Sequence, residues 1–383
     1  MPRSILVLNE RDLRNPLAGG AEVHLFETFG RLARAGHEVT VLVASFPGCR
    51  REEIIDGVRV VRLTNRYFYY LAVPIIARRM IARGRYEVVI DVLCKLPFLS
   101  PWLLPRPCVA IVHHLFGTTA FQQVAFPIAT VTYLSEKLIP RAYRDCWSIA
   151  VSPSTRDDLV VRGLDRSRIL VIPNGVDCDL YHPDPRHRSP TPLIVWLGRA
   201  EPYKRVDLLL QALAQLRPLV PGVRLAIVGD GTASADLQQM AERLGVADIV
   251  DFLGFVDSGL KVAMLQKAHV LANTSEKEGW GLTVLEGAAC GTPTVASNVP
   301  GLRDSVRDGD TGLLVPHGDI VALTSALVSV LTDDDLRERM ARRARQWAIQ
   351  FTWDRSAHDV ERIIEAVAAD APVTGIASPF ADG

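Results

Sequence analysis

Two glutamates separated by seven residues, Glu278 and Glu286, carry the clearest chemical signal in this sequence. The first is followed by Gly279-Trp280-Gly281, and glycines so closely spaced disfavour a helix interior. The next run, 282–290, predicts a short helix closed by Gly291. We therefore expect Glu278 on a loop and Glu286 in a helix that begins between them. Two carboxylates accept hydroxyl hydrogen bonds and a helix N-terminus binds phosphate, which together suit a sugar attached to a diphosphate.

A second candidate loop follows the apolar run Ile194–Leu197 and carries Arg199 and Lys204. Lysine occurs at only six positions in the chain, so a lysine in this loop is less easily explained as background. A guanidinium holds phosphate oxygens as a fork and an ammonium adds a point charge, so the pair would stabilise a departing diphosphate. A solvated basic loop is the alternative interpretation.

Glycine-containing segments end two further apolar runs of the second half. Gly229 follows Arg224–Val228, and Phe255 follows Gly254. Such segments could hold a nucleobase through backbone contacts, and simple turns are an equally good interpretation.

The first half of the chain offers two more candidates. Gly19 and Gly20 precede a predicted helix, where backbone can approach a ligand and the helix start favours an anion. A plain strand-to-helix turn is the alternative, because the segment lacks the dinucleotide-binding glycine pattern. His113 follows the apolar run Val109–Val112, where it could bind a sugar hydroxyl or support developing charge, or be purely structural.

Metal and disulfide chemistry are not expected. Asp177-Cys178-Asp179 and Asp308-Gly309-Asp310 both spell Asp-x-Asp, but one precedes a proline-rich stretch and the other lies in a turn-like segment. The six cysteines are scattered without a Cys-x-x-Cys pair, which indicates reduced core residues.

Composition narrows the class of protein. The chain has 383 residues, too many for one ordinary core, which predicts two domains. It carries 43 basic and 43 acidic side chains, so its net charge gives no indication of a nucleic-acid partner. The apolar N-terminus is too short for a signal peptide, and no uncharged apolar stretch reaches the roughly 20 residues of a spanning helix. We expect a cytoplasmic protein, free or at the inner face of the membrane.

Apolar strands alternate with amphipathic helical segments throughout, which predicts parallel sheets covered on both faces. The expected strands are Ile5–Leu8, Glu38–Val43, Val58–Leu63, Val88–Val92, Val109–Val112, Ser148–Val151, Ile169–Ile172, Ile194–Leu197, Arg224–Val228, Ile249–Phe252, Val270–Asn273, Thr294–Ala296 and Gly312–Val315.

A domain boundary is expected near the middle of the chain. Residues 182–192 contain four prolines and no aliphatic side chain, which is typical of a linker. We predict an α/β domain over 1–180, a second over 181–352, and a flexible tail over 371–383. Ligands bind beyond the carboxyl ends of parallel strands, so two such domains facing each other would enclose a central cleft.

The segment from Tyr67 to Arg85 combines aromatic, aliphatic and arginine residues. One interpretation is a basic amphipathic surface that contacts anionic membrane headgroups. The other is a core-packed helix that starts near Pro74, with its arginines favoured near the C-terminus by the helix dipole.

Taken together, these motifs resemble those of glycosyltransferase family 4, the retaining nucleotide-sugar transferases of GT-B fold. The resemblance covers nearly the whole chain, and its most specific element is the Glu278-to-Glu286 motif with its trailing Gly291-Thr292-Pro293. The other elements are Gly19-Gly20-Ala21-Glu22, Ile172–Asp177, the Arg199/Lys204 loop and Asp310–Val315.

The resemblance implies a fold of two Rossmann-like parallel-sheet domains facing a central cleft. The N-terminal domain would bind the acceptor and the C-terminal domain the nucleotide-sugar donor. A C-terminal helix, at about 353–370, would cross back to the N-terminal domain.

The resemblance also implies roles for individual residues. Glu286 would bind the ribose hydroxyls and Glu278 the hydroxyls of the transferred sugar, while Arg199 and Lys204 would hold the diphosphate. His113 would face the donor sugar near its anomeric carbon. The remaining implied contacts are backbone groups of Gly20, Gly281, Leu282 and Thr283.

The implied reaction is metal-independent transfer, with retention, from a UDP- or GDP-sugar to a glycan or lipid-linked hydroxyl acceptor. Surface polysaccharide or glycoconjugate synthesis is the expected setting. Alternatives are an epimerase or hydrolase of the same fold, or a non-catalytic nucleotide-sugar-binding subunit. A further expectation is an acidic residue after the histidine, where this chain has His114, which leaves acceptor geometry open.

Overall fold

A computed structural model describes residues 2–84, 86–93, 96–117, 121, 126–376 and 379–380. Arg85 at the end of the predicted membrane segment, Cys94, and residues 377–378 and 381–383 of the predicted tail lie outside the described residues. The chain divides into two compact units. Unit 1 comprises Met1–Gly175 and Trp353–Gly383, and unit 2 comprises Val176–Thr352.

Unit 1 is built on an eight-stranded sheet in the order β3-β4-β2-β1-β5-β6-β7-β8. Its strands are β1 Ser4–Leu8, β2 Glu38–Ser45, β3 Glu52–Ile55, β4 Val58–Asn65, β5 Val88–Leu93, β6 Cys108–Val112, β7 Trp147–Ala150 and β8 Ile169–Val171. Its helices before residue 175 are α1 Gly20–Arg34, α2 Arg66–Ala82, α3 Ser100–Leu103, α4 Phe126–Glu136, α5 Ile139–Ala142 and α6 Pro153–Val161.

Alternating residues of β1 show why this sheet is covered on both faces. Ile5 and Val7 join one buried cluster, and Leu6 and Leu8 join another. Successive side chains of a strand point to opposite faces, so a continuous apolar run requires helices on each side.

Unit 2 holds a six-stranded sheet, parallel throughout its described pairings, in the order β11-β10-β9-β12-β13-β14. The strands are β9 Leu193–Leu197, β10 Arg224–Val228, β11 Val250–Gly254, β12 Val270–Asn273, β13 Thr294–Ser297 and β14 Gly312–Val315. The helices are α7 Val206–Leu216, α8 Ser234–Arg243, α9 Ser258–Lys267, α10 Leu282–Ala289, α11 Leu302–Ser305, α12 Ile320–Thr332 and α13 Asp334–Ala348.

The last helix, α14, spans Trp353–Ala368 and belongs to unit 1. Its Val360, Ile363 and Ile364 lie in the same buried cluster as Phe29 of α1. His37 Nε2 lies 2.9 Å from Glu361 Oε1 at the edge of this contact. The expected return of the C-terminal helix to the N-terminal half is therefore confirmed.

The proline-rich segment 182–192 is not an interdomain linker, and that prediction is wrong. It lies inside unit 2, after the division between Gly175 and Val176. Gln266 donates to the carbonyl of His182 at 2.9 Å, and the amide of Ser189 donates to the carbonyl of Lys267 at 3.1 Å. These two bonds hold both ends of the segment against α9.

Two local predictions also need correction. Strand β3 pairs antiparallel with β4, so the sheet of unit 1 is not wholly parallel. Helix α2 begins at Arg66 rather than near Pro74, because the side chain of Asn65 accepts the amides of Tyr67 and Phe68 at 3.1 and 3.4 Å. Within the described residues no helix has the length and apolarity needed to cross a bilayer.

Candidate functional site

The strand order of unit 2 reverses between β9 and β12, which lie side by side in the sheet. Open parallel sheets bind ligands in the crevice beyond the carboxyl ends of strands at such a reversal. The loop after β9 carries Arg199 and Lys204, and the loop after β12 carries Glu278. Three of the predicted site residues therefore come from the two loops that flank this crevice.

Lys204 and Glu278 are in direct contact. Lys204 Nζ lies 2.5 Å from Glu278 Oε1, and Ser275 Oγ donates to the same oxygen at 2.8 Å. Burial lowers the pKa of Lys204, but the Glu278 carboxylate and Tyr203 together raise it by more, so the net pKa is raised and the ammonium stays charged at neutral pH. Only 15% of the lysine side chain and 16% of the glutamate side chain are exposed, so both charges are fixed in place.

Two hydrogen bonds to backbone carbonyls join the loops that carry Lys204 and Glu278. Thr274 Oγ1 donates to the carbonyl of Lys204 at 3.1 Å, and the amide of Glu276 donates to the carbonyl of Tyr203 at 2.9 Å. Gly301 adds a close approach on the other side, since a Cβ there would lie 2.3 Å from the carbonyl oxygen of Glu278. The position of Glu278 therefore depends on a glycine that the sequence analysis did not identify.

Arg199 is the more accessible of the two predicted diphosphate ligands. Its side chain is 38% exposed, and its Nε lies 3.6 Å from Glu201 Oε1. Arg199 and Lys204 share the loop after β9, and the charge of Arg199 acts to lower the pKa of Lys204. Two neighbouring cations favour an anionic ligand between or beside them.

The start of α10, which follows Glu278 closely in the chain, supplies further backbone donors. Gly281 caps the helix with φ of 84°, in the left-handed region, and a Cβ there would lie 2.9 Å from Ser305 Oγ. Val284 makes the first bond of the helix, to the carbonyl of Gly281 at 2.9 Å. The amides of Leu282 and Thr283 precede that bond and lie at the positive end of the helix dipole.

Glu286 lies inside α10, as predicted, and is 6% exposed. Lys261 Nζ, on α9, lies 2.7 Å from Glu286 Oε1 and 5.0 Å from the ring centre of Tyr181. Burial, together with the nearby Glu286 charge, raises the pKa of Tyr181, so its hydroxyl stays protonated and can donate. Sequence reasoning missed Lys261 and Tyr181; the rarity of lysine was the available signal for the first.

Gly229 and Phe255 lie at the ends of β10 and β11. Gly229 has φ of 124°, and a Cβ there would lie 1.8 Å from the carbonyl oxygen of Gly198, so only glycine fits. Phe255 is 91% exposed. An aromatic ring so exposed beyond a strand is available to a planar ligand.

The glycines of unit 1 form the start of α1. Gly19 is the N-cap residue, and its amide donates to Glu22 Oε2 at 2.6 Å. Burial raises the pKa of Glu22, against the opposing effect of Arg11. Gly20, the first helical residue, is exposed. The loop therefore has its own carboxylate cap, and Gly20 remains accessible.

His113 follows β6 and is 9% exposed. Its Nε2 lies 3.0 Å from Nδ1 of His24 on α1, and its carbonyl accepts from Thr155 Oγ1 at 3.1 Å. Burial, with smaller contributions from His24 and His114, holds the pKa of His113 well below its usual range, so the ring is neutral. Sequence analysis did not identify His24, because nothing in the spacing joins a helix residue to a loop 89 positions later.

The Asp-x-Asp spellings have structural roles. Asp177 Oδ1 accepts the amides of Asp179 and Leu180, both at 3.0 Å, and Asp308 Oδ1 accepts the amide of Leu314 at 2.8 Å. Across the part of the chain that the structure describes, no three His, Cys, Asp or Glu side chains group as metal ligands. Metal independence itself stays a prediction.

Two family profiles match the chain in succession. The family described as "Glycosyltransferase Family 4" matches residues 18–180, and the one described as "Glycosyl transferases group 1" matches residues 179–347. The junction between them lies close to the division of the two units.

Relatives align over almost the full chain. A phosphatidyl-myo-inositol mannosyltransferase of Mycobacterium leprae is 31% identical, covering 94% of this chain and 96% of that protein. A GDP-mannose-dependent alpha-(1-6)-phosphatidylinositol monomannoside mannosyltransferase of Mycolicibacterium smegmatis is also 31% identical, covering 87% and 91%.

Solved structures agree with the fold. Sucrose-phosphate synthase from Thermosynechococcus elongatus superposes with a TM-score of 0.81 at 22% identity, covering 96% of this chain and 100% of that one. HepE from Anabaena, in complex with UDP-glucose, superposes with a TM-score of 0.77 at 22% identity, covering 96% and 100%. With the family profiles and relatives above, these likenesses establish that the chain belongs to glycosyltransferase family 4 and is a hexosyltransferase of the GT-B fold.

Proposed function

We propose that this chain transfers a hexosyl group, with retention of anomeric configuration, from a nucleotide-diphosphate sugar to a hydroxyl acceptor. The observation that carries the proposal is the contact between Lys204 and Glu278 at the strand-order reversal of unit 2. It supports the proposal because a fixed cation, which suits a diphosphate, lies beside a carboxylate, which suits sugar hydroxyls. A donor that contains both groups matches this arrangement.

The proposed step breaks the bond between the anomeric carbon and the oxygen of the leaving diphosphate. Lys204, Arg199 and the amides at the start of α10 take up the charge that develops on that diphosphate. The acceptor hydroxyl attacks from the same face, and its proton passes to an oxygen of the leaving phosphate. In this reaction Glu278 orients the sugar and Glu286 binds the ribose, so neither carboxylate acts as a nucleophile.

The names of the relatives favour particular substrates. One relative is named as GDP-mannose-dependent, and two act as mannosyltransferases on phosphatidylinositol compounds. Others are named D-inositol 3-phosphate glycosyltransferases. We infer that GDP-mannose is the first donor to test, with UDP-hexoses as the alternative, and that the acceptor is a polyol-bearing lipid or glycan.

A donor and acceptor matrix tests the transferase assignment. Purified chain is incubated in EDTA buffer with GDP-mannose or UDP-hexoses, with and without inositol-containing lipids and glycan acceptors, and products are identified by mass spectrometry. We expect a glycosylated acceptor that keeps the donor's anomeric configuration by NMR. A rearranged or hydrolysed sugar formed equally well without acceptor would contradict transfer and support the epimerase or hydrolase alternative.

Membrane contact is a second part of the proposal, supported by the outer face of α2. Its buried stripe is Tyr69, Val73, Ala77 and Ile81. The opposite face exposes Tyr67, Phe68, Leu71 and Ile75 by 56–71%, and Arg78 and Arg79 follow on the exposed side. Apolar side chains beside exposed arginines match the boundary between acyl chains and anionic headgroups. Trp102 and Leu103 of the adjacent α3 are exposed as well.

Vesicle co-sedimentation at low salt tests this surface. We expect binding to vesicles that contain anionic lipid, and a fall of about 30-fold in the partition coefficient for Arg78→Gln/Arg79→Gln, since each cation contributes about 1 kcal/mol near such a surface. Arg342→Gln/Arg343→Gln, on exposed positions of α13 in unit 2, is the matched control. Absence of binding by the unmodified chain, or an equal loss in the control, would remove the proposal.

A further inference from the structure

Two neutral imidazoles contact each other inside unit 1. His24 Nδ1 and His113 Nε2 are 3.0 Å apart, and their rings meet edge to face at 79°. Burial lowers the pKa of His24 to about 4 and holds that of His113 well below its usual range, so neither ring is charged at neutral pH. In a hydrogen bond between two neutral imidazoles, one ring must donate and the other must accept.

The second nitrogen of His24 decides which ring donates. His24 is 1% exposed, and its Nε2 is buried without a hydrogen-bond partner among the described residues. The ring centre of Trp353 lies 6.0 Å from that of His24, and an indole offers no hydrogen-bond acceptor nitrogen. If His113 donated through Nε2, His24 would carry its proton on this orphaned nitrogen. A buried N–H without an acceptor is rarer and costlier than a buried lone pair.

We propose that His24 is a positioning residue that donates its Nδ1–H to His113 and thereby fixes the proton of His113 on Nδ1. This inference rests on the proposed transferase function and on the role that the family resemblance implies for His113, which is to face the donor sugar. His113 then offers an N–H donor to a sugar or phosphate oxygen, rather than an acceptor. The carbonyl of His113 is held separately by Thr155, so ring tautomer and backbone position are set by different contacts.

Two substitutions at His24 separate hydrogen bonding from packing. His24→Asn keeps an N–H close to the place of Nδ1, and His24→Leu fills similar space without a donor. Nitrogen-15 NMR of the histidine side chains reports the tautomer of His113 without depending on turnover. We expect protonated Nδ1 in the wild type and in His24→Asn, and loss of this single tautomer in His24→Leu.

Turnover should be kept in the variant that keeps the tautomer and reduced in the variant that loses it. We expect kcat to fall about tenfold in His24→Leu and to be largely kept in His24→Asn, the size expected for one hydrogen bond. An Nε2-protonated His113 in the wild type, or an unchanged tautomer in His24→Leu, would overturn the inference. His113→Phe tests the underlying function separately: full activity in that variant would refute the proposed role of His113 while the NMR result would still decide the tautomer.

Discussion

Lys204→Ala is expected to lower kcat about 10³-fold, the largest effect we foresee for a single side chain in unit 2. Removing one fixed donor to a developing anion typically costs about 10²–10³ in rate, and here the donor carries a full charge. The pKa of Lys204 is raised, so the ammonium is present throughout the neutral range. Steady-state kinetics with saturating donor and acceptor measure the loss.

Inhibition by free nucleotides shows whether the lost group served the diphosphate. The wild type should bind the nucleoside diphosphate more tightly than the monophosphate, and Lys204→Ala should bring the two inhibition constants close together. If the variant discriminates between them as the wild type does, Lys204 does not contact the phosphate groups.

Two further variants act as controls for Lys204→Ala. Lys267→Ala removes an exposed lysine at the end of α9, and it should leave kcat unchanged. Lys204→Ala/Glu278→Gln also removes the carboxylate charge left by the first substitution. In Lys204→Ala, Ser275 still donates to Glu278. We therefore expect this single variant to remain folded and to show a cooperative thermal unfolding transition.

The sheet of unit 2 was predictable because parallel strands that are buried on both faces have continuous apolar sequences. All six of its expected strands occur. Edge strand β3 was not predictable in the same way, since Glu52-Glu53-Ile54-Ile55 is only partly buried and pairs on one side. The prediction that α2 starts near Pro74 is wrong, because the side chain of Asn65 caps a helix that begins two turns earlier.

The location of the candidate side chains was predictable where they follow a strand end, as for Arg199, Lys204 and Glu278. Contacts that depend on tertiary folding were not. Lys261 reaches Glu286 from a different helix, and the need for glycine at Gly301 appears only when its backbone meets the carbonyl of Glu278. Sequence spacing contains no information on which elements pack against each other at this distance.

Glu286→Ala is expected to lower kcat/KM for the donor about 100-fold, mainly by raising KM. A carboxylate has two oxygens and roughly four acceptor positions, and Lys261 with the Tyr181 hydroxyl occupies only part of that capacity. The rest is available to a pair of ribose hydroxyls, and the two protein contacts already fix the rotamer. Hydrogen bonds to a charged group contribute about 1.5–3 kcal/mol, which gives the expected magnitude.

A 2′-deoxynucleotide distinguishes ribose binding from a general loss of structure. The wild type should bind the nucleoside diphosphate at least about tenfold more tightly than its 2′-deoxy form, and Glu286→Ala should bind both with nearly equal affinity. Glu286→Gln keeps the shape and one acceptor, so it should fall between these limits. Glu338→Ala, at an exposed position of α13, is the matched control and should keep the full preference. If Glu286→Ala still prefers the ribose form as the wild type does, then Glu286 stabilises α10 and its ion pair with Lys261 and does not bind the nucleotide.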